Sequence, residues 1–219
     1  MTRAGAIPDK RAHAVLRRAT RDLHDILDGV LTAWDLTTRA GYVRYLKANL
    51  PCAVVEPALT AAGLSRLLPD WPGRQRRHAL AGDLDRLGEG GKATGATPVI
   101  LSGDATLLGW AYVLEGSRLG AAVILRRVNA STDPAPGQAT AFLRHGEGVP
   151  YWPRFLSVLS RLDGDSAALD RAAAAARLAF GCFLAGVEDA APASAASPNA
   201  APPNAARPNV AGPNGQRET

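Results

Sequence analysis

From Asp104 to Val128 the chain runs through about seven turns of apolar, helix-patterned sequence, and inside that run Gly116 and Gly120 stand four residues apart on one face. Each glycine costs a helix roughly 1 kcal/mol relative to alanine. A pair on one face therefore implies that something must lie close to the backbone. A flat cofactor fits that requirement; close packing of a second helix, or a kink, is the other reading of such a pair.

The remaining ordered stretches also carry helical periodicity. Arg11 to Val30 places Val15, Leu16, Ala19, Leu23, Ile26, Leu27 and Val30 at three- and four-residue steps. Thr37 or Thr38 is a suitable N-cap for a helix from about Arg39 to Ala62, in which Pro51 and Pro57 should cause bends or breaks before Gly63 ends it. A third helix is expected from about Gln75 to Leu87, followed by a flexible connector from Gly88 to Gly95. After the glycine-bearing run come a short helix near Ala139 to Arg144, one from Tyr151 to Leu162 and a last one from Ser166 to Asp189. No segment reads as a strand, so the fold class is all-α, a multi-helix bundle.

With 219 residues, 47% of them hydrophobic and 21% charged, the chain can bury one sizeable core, and one domain is the economical reading. Residues 1–9 read as a flexible N-terminus and 10–190 as the helical domain. From residue 191 to 219 the pairs Pro198-Asn199, Pro203-Asn204, Pro208-Asn209 and Pro213-Asn214 recur every five residues in an alanine background. So little apolar surface cannot offset the entropy of ordering, and the expectation is a disordered tail. No apolar run reaches the length of a membrane span and the N-terminus lacks a signal-peptide core, which points to a cytoplasmic protein with no membrane partner.

Cys52 and Cys182 are too few for a disulfide framework and read as buried small hydrophobes. The net charge of +5 is dispersed, and nucleic acid is not an expected partner. The densest basic run, Arg74-Gln-Arg-Arg-His78, reads as a solvated helix face or as a docking patch for an acidic protein.

Of the four histidines, His24 lies between Leu23 and Ile26-Leu27 on the apolar side of the first helix, where a neutral imidazole could present a nitrogen to a metal. Taken alone, a partly buried core histidine is the commoner meaning of such a position. His13 precedes it by eleven residues, roughly 16 Å along a helix, so the two cannot share one axial site. His78, in the basic run, and His145, in a glycine-rich loop, are expected to be exposed.

Two segments together carry a resemblance. Leu16, Arg17, Ala19, Thr20, His24, Leu27 and Asp28 match a helix motif L-R-x-A-T-x-x-x-H-x-x-L-D, and Tyr112 through Gly120 match Y-V-L-E-G-S-R-L-G, with Ala121 where a further glycine is usual. Weaker echoes occur at Tyr42–Leu46, Arg76–Leu84, Tyr151–Phe155 and Leu178–Phe183, so the likeness runs collinearly over about residues 10 to 189. The chain resembles the bacterial heme oxygenases, above all those that accompany bacteriophytochromes.

That resemblance implies a heme oxygenase-like bundle in which heme is both cofactor and substrate. The iron binds and activates O2, and the ring is cleaved to biliverdin, carbon monoxide and iron. It makes His24 the iron ligand and Gly116, Ser117 and Gly120 the catalytic distal wall of a kinked helix; animal members have an aspartate where Ser117 stands. Tyr112 belongs to the same distal motif, and Phe180 matches the family's heme-edge aromatic. Arg17, two turns from His24 on the same face, matches a propionate contact, with Arg177, Arg154 and Arg161 as further candidates. No nicotinamide or flavin fingerprint occurs, so an external electron donor such as ferredoxin or flavodoxin with its reductase is implied. A bacteriophytochrome is the implied acceptor of the biliverdin. The alternative is a non-catalytic heme or tetrapyrrole binding or sensing protein on the same fold.

Overall fold

The computed structural model of the protein describes residues 11–90 and 100–190. Among them it has ten α-helices: α1 (Arg11–Ala33), α2 (Arg39–Ala48), α3 (Leu50–Ala61), α4 (Leu64–Leu67), α5 (Arg77–Arg86), α6 (Asp104–Asn129), α7 (Pro134–Gln138), α8 (Ala141–Arg144), α9 (Tyr151–Leu159) and α10 (Ser166–Asp189). Two 3₁₀ turns, Trp71–Arg74 and Ser160–Leu162, complete the described elements, and no strand occurs among them. The expected N-terminus, the tail and most of the Gly88–Gly95 connector fall outside the described residues, as does the Cys52 side chain. No described helix is long and apolar enough to cross a membrane.

The expected second helix is broken at Asn49, immediately ahead of Pro51, while Pro57 stays inside α3. Proline is tolerated in a first turn, where its missing N–H would be unpaired anyway, so Pro51 sets the start of α3. Thr38 caps α2 by accepting from the Gly41 N–H, and Asp165 caps α10 by accepting from the Ala168 N–H. Two buried carboxylates cap helices from a distance. Glu56 accepts from the N–H groups of Arg76 and Arg77 at the start of α5, and Asp83 from those of Ala141 and Phe142 at the start of α8. Burial pushes both carboxyls above the usual carboxylate range, and the helix N–H groups oppose that rise.

α10 is the central member. Its buried side is mostly alanine, Ala168, Ala172, Ala175, Ala176 and Ala179, with Phe180 and Phe183 farther along. Alanine is the best helix former and leaves a smooth face, so both α1 and α6 pack along α10. The closest approach is at Gly109 of α6, where an added Cβ would collide with the Ala172 carbonyl oxygen and stand 2.8 Å from the Ala175 Cβ. Gly186 does the same for α2, against Ala48 and Pro51.

The close helix-packing role open to a paired glycine thus falls on Gly109 and Gly186. Gly116 would meet only the rim of Trp152, at 3.8 Å, and Gly120 nothing within 4 Å. α6 passes through both as one continuous helix from Asp104 to Asn129.

These surroundings predict opposite signs for one substitution. Gly109→Ala should lose about 1–3 kcal/mol by overpacking, and Gly120→Ala should be neutral or gain up to about 1 kcal/mol of helix propensity. Urea unfolding of both variants measures this. A stabilised Gly109→Ala would show that α6 and α10 lie farther apart than described.

Candidate functional site

α6 changes character halfway along. Every residue from Leu107 to Glu115 is buried, whereas from Gly116 to Asn129 only Ala121 and Val128 are. On the buried side of the transition Glu115 is fully buried; its Oε2 accepts from Arg74 Nη1 at 2.7 Å and its Oε1 from Arg118 Nε at 3.3 Å. Arg74 is itself fully buried and also holds Asp70 through Nε and Nη2. Arg118 reaches the Arg74 carbonyl and donates to His145 Nδ1 at 3.1 Å, while the Tyr151 ring stacks against both guanidiniums. Arg76 Nη2 donates to the Ser117 hydroxyl at 2.6 Å and to the Leu114 carbonyl at 3.0 Å. The Ser117 hydroxyl in turn donates to Leu114. Losing one partner of a buried ion pair costs about 3–5 kcal/mol, so this cluster fixes the rotation of α6 about its axis.

With that side anchored, the opposite side of α6 is free. Gly116, Leu119, Gly120 and Val123 share an arc of about 100° at 100° per residue. Leu119 is 58% and Val123 50% exposed. α1 supplies the facing wall. The two helices approach at two points: near the start, Tyr112 of α6 lies beside His13 and Thr20, with Trp152 against both rings; near the end, Arg127 donates to the carbonyls of Leu31, Thr32 and Trp34. Between these points lies a groove floored by α10.

His24 sits in the α1 wall with its side chain 57% exposed, and its Nδ1 is 3.2 Å from Asp28 Oδ2, one turn on. A neutral imidazole that donates through Nδ1 to this carboxylate presents Nε2 to a ligand. The Phe180 ring of α10 lies 6.1 Å from the imidazole in an edge arrangement.

His24 and Phe180 stand together where α1 meets α10, Tyr112 and Gly116 both face Trp152, and Gly120 lies one turn beyond Gly116 on the same face of α6. Arg17 is exposed on the His24 face of α1, close enough to Tyr112 to favour its phenolate, against a larger rise from burial. Arg177 is placed differently: it holds both oxygens of Asp22 and the Ala19 carbonyl, pinning α10 to α1. That bond holds the Asp22 carboxyl below its usual range.

Ser117, expected in the distal wall, turns toward Arg76 on the anchored side of α6. The basic run around residue 75 is neither a solvated face nor a docking patch as a whole, because Arg74 and Arg76 are buried and α5 begins only at Arg77. His78 is exposed as expected, but His145 is half-buried against Arg118.

Sequence reasoning missed Arg74, Arg76, Glu115, Arg118 and Trp152. Glu115 and Arg118 did leave a signal: charges three residues apart inside an apolar helix need partners.

Three comparisons bear on this arrangement. The family model for heme oxygenase matches residues 93–189, which contain the groove's α6 wall and α10 floor. Heme oxygenase PigA of Pseudomonas aeruginosa is 28% identical over 155 residues, spanning 68% of this chain and 77% of the relative. A crystal structure of the NO- and CO-bound heme oxygenase from Neisseria meningitidis superposes with a TM-score of 0.69 at 22% identity, covering 88% of this chain and 99% of that one. The arrangement of two helices over a third is thus a heme oxygenase fold, and the chain is similar in sequence to heme oxygenases over residues 93–189.

The Arg118 contact makes His145 pH-sensitive. Burial first, then the charge of Arg118, lowers its pKa to about 4. An unfolded chain binds a proton on this histidine near pH 6.5 and the folded one does not, so stability falls as pH drops from about 6.5 toward 4. The Tm difference between pH 7.5 and pH 5 should therefore be smaller in His145→Gln than in the unaltered chain. An equal or larger difference would place His145 in solvent.

Proposed function

We propose that the chain is a heme oxygenase that takes heme into the groove between α1 and α6. The observation that carries the reading is that an oriented imidazole, His24, and a Cβ-free stripe, Gly116 and Gly120, stand on two walls of one groove. The fit is supported by the open space at Gly120, where an added Cβ meets nothing, and by the exposed Leu119 and Val123 beside it. Those apolar side chains gain by being covered with a flat hydrophobic ligand.

His24 Nε2 would hold the iron, and Asp28 fixes the ring and raises its donor strength through Nδ1. Gly116 and Gly120 let the α6 backbone approach the macrocycle and leave room beside it. Tyr112 and Trp152 close the groove toward the start of α1 and exclude water there. Arg17 would meet a propionate as a charge-assisted hydrogen-bond donor, in preference to Arg177, which Asp22 already occupies. Heme bound here supplies the iron for O2 activation and the meso carbon to be oxidised, with biliverdin, carbon monoxide and iron as products. Electrons come from a separate donor of the ferredoxin or flavodoxin kind, and a bacteriophytochrome is the acceptor we favour for the bilin. Both assignments rest on the sequence resemblance.

Hemin titration followed by a reductant in air tests the reading. The unaltered chain should form a histidine-ligated hemin complex and then a bilin absorption band. His24→Ala should lose the ligated spectrum and all bilin, and His13→Ala should keep both. A stable complex that yields no bilin would make the protein a heme-binding or sensing member of the fold, and an unchanged spectrum in His24→Ala would refute the ligand assignment.

The second wall has its own test. Gly120→Leu places an isobutyl group in the open face of α6 while raising helix propensity by roughly 0.8 kcal/mol. The protein should stay folded by circular dichroism and bind hemin poorly or without conversion. Native turnover by Gly120→Leu would show that the stripe does not face the ligand.

A further inference from the structure

Arg76 is a buried cation with an unusual set of partners. Its side chain belongs to a residue only 6% exposed, yet the guanidinium donates to a neutral carbonyl, Leu114, and a neutral hydroxyl, Ser117, and lies over the Phe142 ring with its carbon 4.7 Å from the ring centre. The carboxylates nearby are committed elsewhere. Glu115 is divided between Arg74 and Arg118, and Glu56 spends both oxygens on the backbone N–H groups of Arg76 and Arg77. Burial, then repulsion from Arg118, lowers the Arg76 pKa to about 10, so it remains charged at neutral pH.

A buried charge held without a carboxylate on its guanidinium is costly, and its field is poorly screened because little water surrounds it. Its anchor, Ser117, is the residue that follows Gly116. The charge is therefore held behind the stretch of α6 whose other side forms the distal wall.

We propose that Arg76 is an electrostatic positioning residue of that wall, drawing small anionic ligands to the groove face lined by Gly116 and Gly120. The inference rests on heme being seated in the groove. Arg76 touches neither ligand nor heme; it acts through the field it projects across α6 and through the Ser117 hydroxyl that holds it in place.

The test compares an anionic with a neutral ligand on the hemin-loaded full chain. Azide and imidazole are titrated optically into the unaltered protein, Arg76→Gln, Arg76→Lys and Ser117→Ala. Removing the charge should weaken azide about three- to tenfold, as expected for one unit charge acting through a partly buried path, and leave imidazole within about twofold. Arg76→Lys should recover most of the azide affinity. A purely structural role would change both ligands together, so parallel losses in Arg76→Gln overturn the proposal, as does unchanged azide binding.

If Arg76→Gln does not fold, Ser117→Ala decides, since it keeps the charge on the chain and removes only the half-buried hydroxyl that holds it. Releasing the guanidinium should then lower azide affinity about twofold or more at constant imidazole affinity, and equal azide binding overturns the proposal. An unaltered chain that takes up no hemin would defeat the heme reading itself. Hemin uptake with no azide effect defeats this inference alone.

Discussion

The buried pair between Arg74 and Glu115 determines which side of α6 meets protein and which side is left to a ligand. Both side chains are fully excluded from solvent, so neither can swing away without stranding a charge. Once Glu115 is committed to the 3₁₀ turn at Trp71–Arg74, helical geometry turns Gly116 and Gly120 to the opposite side. Gly109, two turns earlier, is pressed against α10 by the same rotation. The groove is thus a consequence of where the charges are buried, and the glycines fill two roles that their identity alone does not separate.

α10 provides the second constraint. Its alanine face lets two long helices pack on one narrow support, and α1 and α6 meet each other near Tyr112 and at Arg127, with His24 on α1 between these points. Arg177 reinforces this by tying α10 to α1 through Asp22. A residue that sequence reasoning offers to a propionate is thereby used to set the spacing of the groove, and Arg17 remains the better-placed cation on the α1 wall. The histidine needs no deep burial of its own, because a bound macrocycle would cover it.

Helical periodicity made the number and order of the long helices legible, since apolar residues at three- and four-residue steps leave few alternatives. The break ahead of Pro51 was legible from the proline itself, whereas the 3₁₀ turn at Trp71 and the short α7, each a single turn started at a local proline, were not. The groove residues were readable through the two motifs around His24 and Gly116. The supports behind them were not: a run such as Arg74-Gln-Arg-Arg-His78 reads as surface until Glu115 and Ser117 are brought against it. His145 was misjudged for the same reason, its partner Arg118 lying 27 residues away. Sequence places charges along a chain, and only the fold says which of them share a buried site.

Hydrogen exchange with and without one equivalent of hemin tests the central claim most directly, because it reports where the ligand sits independently of turnover. The account predicts added protection in α1 around His24, in α6 from Gly116 to Val123, and in α10 around Phe180, with α3, α4 and α5 unchanged. Protection that spares the α1 and α6 walls, or that falls on the anchored side of the molecule around α5 and α8, would contradict it.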